Sequence, residues 1–248
     1  MRRHRPQAGL TLIEVLIAMT LLSLLSLGML FAMRIGFSAF AKTDDKLMHN
    51  RRVAGAQRVL EEELEGMMPV VAPCGAGGVQ GPAPRAAFFQ AEEQTMRLVS
   101  TFSLQQGWRG QPQILELLVI PGDQQGVRLV VNEIPYTGPA AAGRLCGGFA
   151  PDPTSGGSPV PRFLPAAPSE RSFVLADKLA YCRFSYLVSS SSPKELTPVW
   201  LPHATRQGWP FAVRVEMAPL EPDPSVLQPI TVTAPIHLWR APEIEYVD

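Results

Sequence analysis

The chain has 248 residues, 46% of them hydrophobic and 18% charged, and its 22 basic residues are matched by 22 acidic ones. That balance lacks the basic footprint of a nucleic-acid-binding protein, so no nucleic-acid partner is expected. Its 25 prolines are so unevenly spread that the chain has to be taken in segments.

Residues 1–9, MRRHRPQAG, cluster Arg2, Arg3 and Arg5 ahead of a glycine. Basic residues before a first span favour a cytoplasmic N-terminus, a push weakened by Arg34, Lys42, Lys46, Arg51 and Arg52 on the far side. After Pro6 no proline occurs before Pro69, a gap of 62 residues. Proline inside a helix costs about 3 kcal/mol. The gap therefore predicts one helix from Leu10 to about Gly66, roughly 85 Å long at 1.5 Å per residue.

Within it, residues 10–33 form a run of 24 whose only charge is Glu14. A bilayer core takes about 20 apolar residues, so this run predicts a transmembrane helix. A core helix would keep a polar stripe, and a removable secretory signal has a shorter apolar region ending at small residues. Residues 34–68 continue as an amphipathic helix. Phe37, Phe40, Leu47, Ala54, Leu60, Leu64 and Met67 fall on one stripe, and Lys42, Asp44, Asp45, Lys46, Arg51, Arg52, Glu61, Glu62, Glu63 and Glu65 are assigned to the wet side.

Residues 69–248 hold 24 of the 25 prolines and predict a β-rich domain. Strands are expected at Thr95 to Phe102, Gln113 to Ile120, Val127 to Ile134, Phe173 to Val188, Phe211 to Met217 and Ile230 to Trp239. Met96, Leu98 and Ser100 alternate with Arg97, Val99 and Thr101, which suits a sheet with one wet face. The fold class is then α+β: a long N-terminal helix, transmembrane in its first half and amphipathic in its second, packed on an antiparallel sheet. The stretch 135–172, with eight prolines and six glycines in 38 residues, is expected to be a long loop or insertion. Ser189 to Pro193 predicts a flexible turn.

Export to an oxidising compartment would allow the three cysteines one bridge. Cys74 and Cys146, both in glycine-rich stretches, are the candidate disulfide. Cys182 alternates with Phe184 and Tyr186 and reads as a buried free thiol. The sequence alone leaves connectivity open. No chemistry-bearing constellation emerges: His4, His49, His203 and His237 have no metal-ligand spacing, and no C-x-x-C accompanies the cysteines. Glu92 and Glu93 read as exposed acids, and neither a nucleophile elbow, a phosphate or dinucleotide loop nor an acidic calcium loop is found. No catalytic residue, metal ligand, cofactor or enzymatic activity is expected.

Gly9-Leu10-Thr11-Leu12-Ile13-Glu14 resembles the processing and assembly motif of the type IV pilin superfamily, which includes type IV pilins and the pseudopilins of type II secretion. The resemblance implies that a prepilin peptidase cuts between Gly9 and Leu10 and methylates the new terminus, with leucine standing where phenylalanine is usual. Loss of three arginines leaves 19 basic against 22 acidic residues, a net charge of −3 on a mature chain of 239 residues. Glu14, fifth in that chain, would lie about 6 Å along the helix from the new amine. An uncompensated charge deep in the bilayer costs ~2.5 to 3.5 kcal/mol. The resemblance implies that Glu14 pairs with the amine of a neighbouring subunit; the alternative is that it snorkels to the headgroups.

Farther on, Gly107-Trp108, Leu175 to Leu179, Phe184-Ser-Tyr-Leu187, Trp200-Leu-Pro202 and Pro210 to Met217 follow an order similar to the minor pseudopilin J pattern. That likeness implies a structural subunit priming or forming the tip of a periplasmic pseudopilus for protein export. It would sit in the bacterial inner membrane by a single span, with its C-terminal domain in the periplasm. Its implied partners are prepilin peptidase, other minor pseudopilins, the cytoplasmic membrane and secreted cargo. A minor type IV pilin priming surface pili is the first alternative, separable by the neighbouring genes. A single-pass anchored binding domain is the second, and it predicts an uncut N-terminus.

Overall fold

A computed structural model describes residues 11–75, 83–104, 108–123, 125–152, 157, 159–189, 197–204, 209–220 and 229–236; within the first helix its side chains are described for 12–39 and 55–65. Expectations for Gly9, Leu10, Gly107, the turn after Ser189 and the strand beyond Ile236 lie outside these residues. The chain divides into two compact units, residues 1–49 and 50–248.

The first helix, α1, runs from Leu12 to Glu65 without a break, 54 residues. Gly66 stops it. Its N–H still donates to the Glu62 carbonyl at 3.0 Å, and its own carbonyl accepts from Thr101 N–H at 2.8 Å, so the chain leaves the helix directly into the sheet. A Cβ on Gly66 would lie 2.7 Å from Ser100 Oγ, and only glycine allows so close an approach.

The second unit builds its sheets from β1 (Met67–Met68), β2 (Val71–Pro73), β3 (Arg85–Ala87), β4 (Gln90–Ala91), β5 (Thr95–Ser103), β6 (Trp108–Pro121) and β7 (Val127–Pro135), with a short helix α2 (Pro139–Gly143). These are followed by β8 (Cys146–Pro151), β9 (Pro159–Phe163), β10 (Phe173–Val188), β11 (Val199–Leu201), β12 (Ala212–Pro219) and β13 (Ile230–Pro235). Among the described residues nine strands form one antiparallel sheet in the order β1-β5-β6-β7-β10-β12-β13, with β4 beside β5 and β11 beside β10. The long β10 joins the halves, pairing with β7 over Phe173 to Leu179 and with β12 over Leu179 to Leu187. The fold class is α+β.

One face of this sheet packs on the end of α1. Ala56, Leu60 and Leu64 share a core with Met96, Leu98, Leu115, Leu117, Leu129, Val131, Phe184, Tyr186, Val213 and Val215. Leu60 is 0 % exposed, and burial of each such leucine contributes about 1.5 to 3 kcal/mol. Of the expected apolar stripe, Leu60 and Leu64 are buried here, together with Ala56, whereas Phe37 is exposed and Met67 belongs to β1; Glu63, expected on the wet side, is buried as well. It sits three residues after Leu60 and one before Leu64, which places it on the covered face of a 3.6-residue helix.

The expected wet face of β5 is likewise covered. Val99 packs with Val70, Ala72, Phe88, Ile114 and Ala142 in a second core, with Tyr136, Leu145 and Phe163 against it. The cover comes from the stretch 135–172, which is not the expected loop: it contains α2, β8 and β9, the latter two paired antiparallel. Prolines are tolerated there because Pro159 and Pro161 alternate along β9, so both missing N–H groups face the same side of the strand. Pro159 stands opposite Pro151, a pair that can exchange no hydrogen bonds. Cys74 and Cys146 are joined by a disulfide, Cα–Cα 5.0 Å, which ties the β2 end to β8. Cys182 is a buried free thiol whose burial pushes its pKa up to about 12. Replacing Cys74 and Cys146 together by serine is expected to lower stability by about 2 to 4 kcal/mol, read from urea unfolding of the full chain in detergent.

Below the cover, one polar row crosses three strands. Arg97 on β5, Glu116 on β6 and Asn132 on β7 stand opposite one another in register. Arg97 donates from Nε and Nη2 to Glu116 Oε1 at 2.9 and 2.7 Å, and from Nη1 to Gln90 Oε1 at 2.8 Å. Asn132 Nδ2 donates to Glu116 Oε2 at 2.8 Å. The same row holds the cover: Arg97 Nη2 reaches the Leu164 carbonyl at 3.0 Å, Asn132 Nδ2 the Ala167 carbonyl at 2.9 Å, and Ser172 Oγ donates to Asn132 Oδ1 at 2.5 Å.

Candidate functional site

The first unit offers a helix surface rather than a cleft. From Leu12 to Ala39 the helix is long and apolar enough to cross a membrane, and none of its most apolar stretch is buried. Its large side chains are exposed all round, from Val15 at 45 % to Leu12 at 83 %. In water such a surface would be strongly unfavourable. Lipid or neighbouring helices suit it.

Three hydroxyls inside this run, those of Thr20, Ser23 and Ser38, are satisfied within the helix. Thr20 Oγ1 donates to the Ile17 carbonyl at 2.9 Å, Ser23 Oγ to Met19 at 2.8 Å and Ser38 Oγ to Ile35 at 2.9 Å. Back-bonding of this kind lets serine and threonine enter hydrocarbon without an unpaired donor.

Glu14 lies in the first turn of α1. The Thr11 carbonyl accepts from the N–H groups of Glu14 at 3.1 Å and Val15 at 3.3 Å, which makes Thr11 the residue at which the helix starts. Thr11-x-x-Glu14 has the spacing of a capping box, a signal that marks the helix start from sequence. The first turn of a helix carries the positive end of its dipole. Gly9 and Leu10, the expected processing pair, precede the described residues.

In the second unit the segments of the distal sequence pattern become neighbours. Phe184 to Leu187 lies on β10, where Leu187 stands opposite Trp200 of β11 and Phe184 opposite Val215 of β12. Tyr186 is buried, and its hydroxyl donates to the Glu92 carbonyl at 2.9 Å. On the outer side, Arg214 stacks over the Trp200 ring at 3.8 Å and Arg183 pairs with Glu216 at 3.0 Å. A cavity of about 320 Å³ lies between β3–β4 and β9, lined by Phe89, Gln90, Arg162, Phe163 and His203 among others. Among the described residues no group of three or more His, Cys, Asp or Glu is placed to hold a metal ion.

Comparison with known protein families matches residues 4–30 to the prokaryotic N-terminal methylation motif. The match brackets the expected Gly9–Leu10 cut, contains Glu14 and runs well into the exposed apolar helix. It implies processing by a prepilin peptidase and supports the pilin and pseudopilin superfamily. Searches among curated proteins and among solved structures find no match to the chain.

Proposed function

We propose that this chain is a minor pseudopilin of a type II secretion system, made as a prepilin, trimmed after Gly9 and methylated at Leu10. It is held in the bacterial inner membrane by the span that begins at α1, with its β-rich unit in the periplasm. Its work is mechanical: it primes or caps a short pseudopilus, packing its apolar helix against those of other minor pseudopilins, while the folded unit meets partners or cargo. It carries no catalytic site of its own.

The observation that carries this reading is the continuity of three features. The methylation motif of residues 4–30 runs into a helix whose Leu12–Ala39 stretch is exposed on every side, and that helix has one acid in its first turn. A simple anchor needs the apolar length but neither the motif nor the acid, whose presence is unfavourable in hydrocarbon unless a partner cation meets it. The order of Phe184 to Leu187, Trp200 and Val213 to Glu216, segments on adjacent strands, is similar to the minor pseudopilin J pattern and supports that reading, though minor type IV pilins share much of it.

The test is the intact mass of the chain expressed with and without a prepilin peptidase. With the peptidase, loss of residues 1–9 and gain of a single methyl group are expected. An identical mass in both preparations, starting at Met1, would leave the chain an ordinary anchored domain.

A further inference from the structure

Glu63 is 0 % exposed, on the helix stripe that packs against the sheet. Neither of its carboxylate oxygens has a hydrogen-bond partner. Its backbone carbonyl, by contrast, accepts from Ser100 Oγ of β5 at 2.9 Å. Glu133 on β7 adds a like charge to its surroundings, as does Glu62 on its own helix. Glu133 is the better supported anion of the two: Ser103 Oγ donates to its Oε2 at 3.2 Å, and Leu104 N–H donates to its Oε1.

An ionised Glu63 in this place would be a desolvated charge facing another acid; the Ser100 hydroxyl, which would favour that charge, donates to the Glu63 backbone carbonyl. Such a group gives up its charge by taking a proton. Burial, followed by the charge on Glu133, raises the Glu63 carboxyl from an ordinary 4.5 to about 9.

We propose that docking of the end of α1, residues 56–65, onto the sheet takes up one proton at Glu63, making this contact a pH-dependent latch. The direction follows from the two states. Below pH 4.5 the acid is protonated whether the helix end is docked or free, so docking does not respond to pH. Above it the free helix end gives up its proton while the docked one keeps it. Each pH unit then shifts the balance toward release by about tenfold, until the docked acid itself ionises near 9. Release would also break the Ser100 and Thr101 hydrogen bonds to the Glu63 and Gly66 carbonyls. Acid tightens the latch and alkali loosens it. The inference stands apart from the pseudopilin reading, since it needs neither processing nor a partner.

Amide hydrogen exchange on the full chain in detergent micelles, from pH 5 to 8, tests it. In the wild type, protection of amides 56–65 is expected to fall by about tenfold per pH unit beyond the rise in chemical exchange rate, while Leu115 and Leu117 of β6 stay protected. Glu63→Gln should flatten that slope, and Glu63→Leu, which leaves no polar group to bury, should flatten it equally. Equal slopes in wild type and both variants would overturn the latch. So would β6 amides opening in step with the helix, because the proton would then belong to global folding.

Discussion

Arg97→Ala is expected to lower the stability of the sheet-bearing unit by about 3 to 5 kcal/mol, because it leaves Glu116 as a buried charge without its cation. Arg97 and Glu116 have side chains only 1 % and 7 % exposed, so water cannot replace the lost guanidinium. The substitution also strands Gln90 Oε1 and the Leu164 carbonyl, and it removes the cation over the Phe163 ring at 5.5 Å. Urea unfolding of the full chain in detergent, followed by tryptophan fluorescence, measures the loss. Arg97→Met combined with Glu116→Leu removes both charges together and should cost far less than Arg97→Ala alone. A loss below about 1 kcal/mol for Arg97→Ala would place the pair among weak surface bridges and undo the account of how the cover is held.

The same substitution should expose the cover. Residues 159–172 lie across the sheet on hydrogen bonds from Arg97 and Asn132, so their protease sensitivity is expected to rise before the sheet unfolds. This segment is where the sequence was least legible. Proline and glycine density is a sound sign that a helix or a central strand is absent, and it says nothing about a two-stranded edge sheet in which the missing N–H groups face outward. Nor does alternation along β5 reveal that Arg97 and Val99 are buried. An arginine between apolar residues looks like a wet face until Glu116 and Asn132, distant in sequence, are seen beside it on the next strands.

Other parts were legible for physical reasons that do not depend on distant partners. A 62-residue gap without proline can be read because one proline would break the helix locally. The strand Phe173–Val188 could be delimited because its inward residues, Cys182, Phe184 and Tyr186, repeat at the two-residue period of a strand. Glu63 lay between these cases. Its spacing from Leu60 and Leu64 puts it on the buried stripe, while a carboxylate by itself belongs in water, so position and residue type point opposite ways. Glu14 is legible for the opposite reason: nothing else in residues 10–33 is charged, so the acid itself is the signal.

Glu14→Leu is expected to leave insertion intact and to abolish incorporation into an assembly. Replacing an acid near the start of an apolar helix by leucine removes an insertion penalty of at most the ~2.5 to 3.5 kcal/mol that a charge costs at a helix centre, so the variant should reach the membrane at least as well as the wild type. Assembly is where the loss appears. Once the chain is cut after Gly9, each subunit carries a new cationic terminus, and in the pseudopilin reading Glu14 of a neighbour neutralises it in low dielectric. Removing one partner of a buried pair costs about 3 to 5 kcal/mol, which corresponds to a fall in association of roughly two to four powers of ten. Glu14→Asp keeps the charge but shortens its reach, and should retain part of the association. Cross-linking and co-purification with the other pseudopilins, normalised to the amount in the membrane fraction, give the readout. The uncut form supplies the control, since a blocked terminus and a missing acid should produce the same defect and should not add. Wild-type recovery of Glu14→Leu in the assembly would show that helix packing alone joins the subunits, and the acid in the first turn would be left without a role.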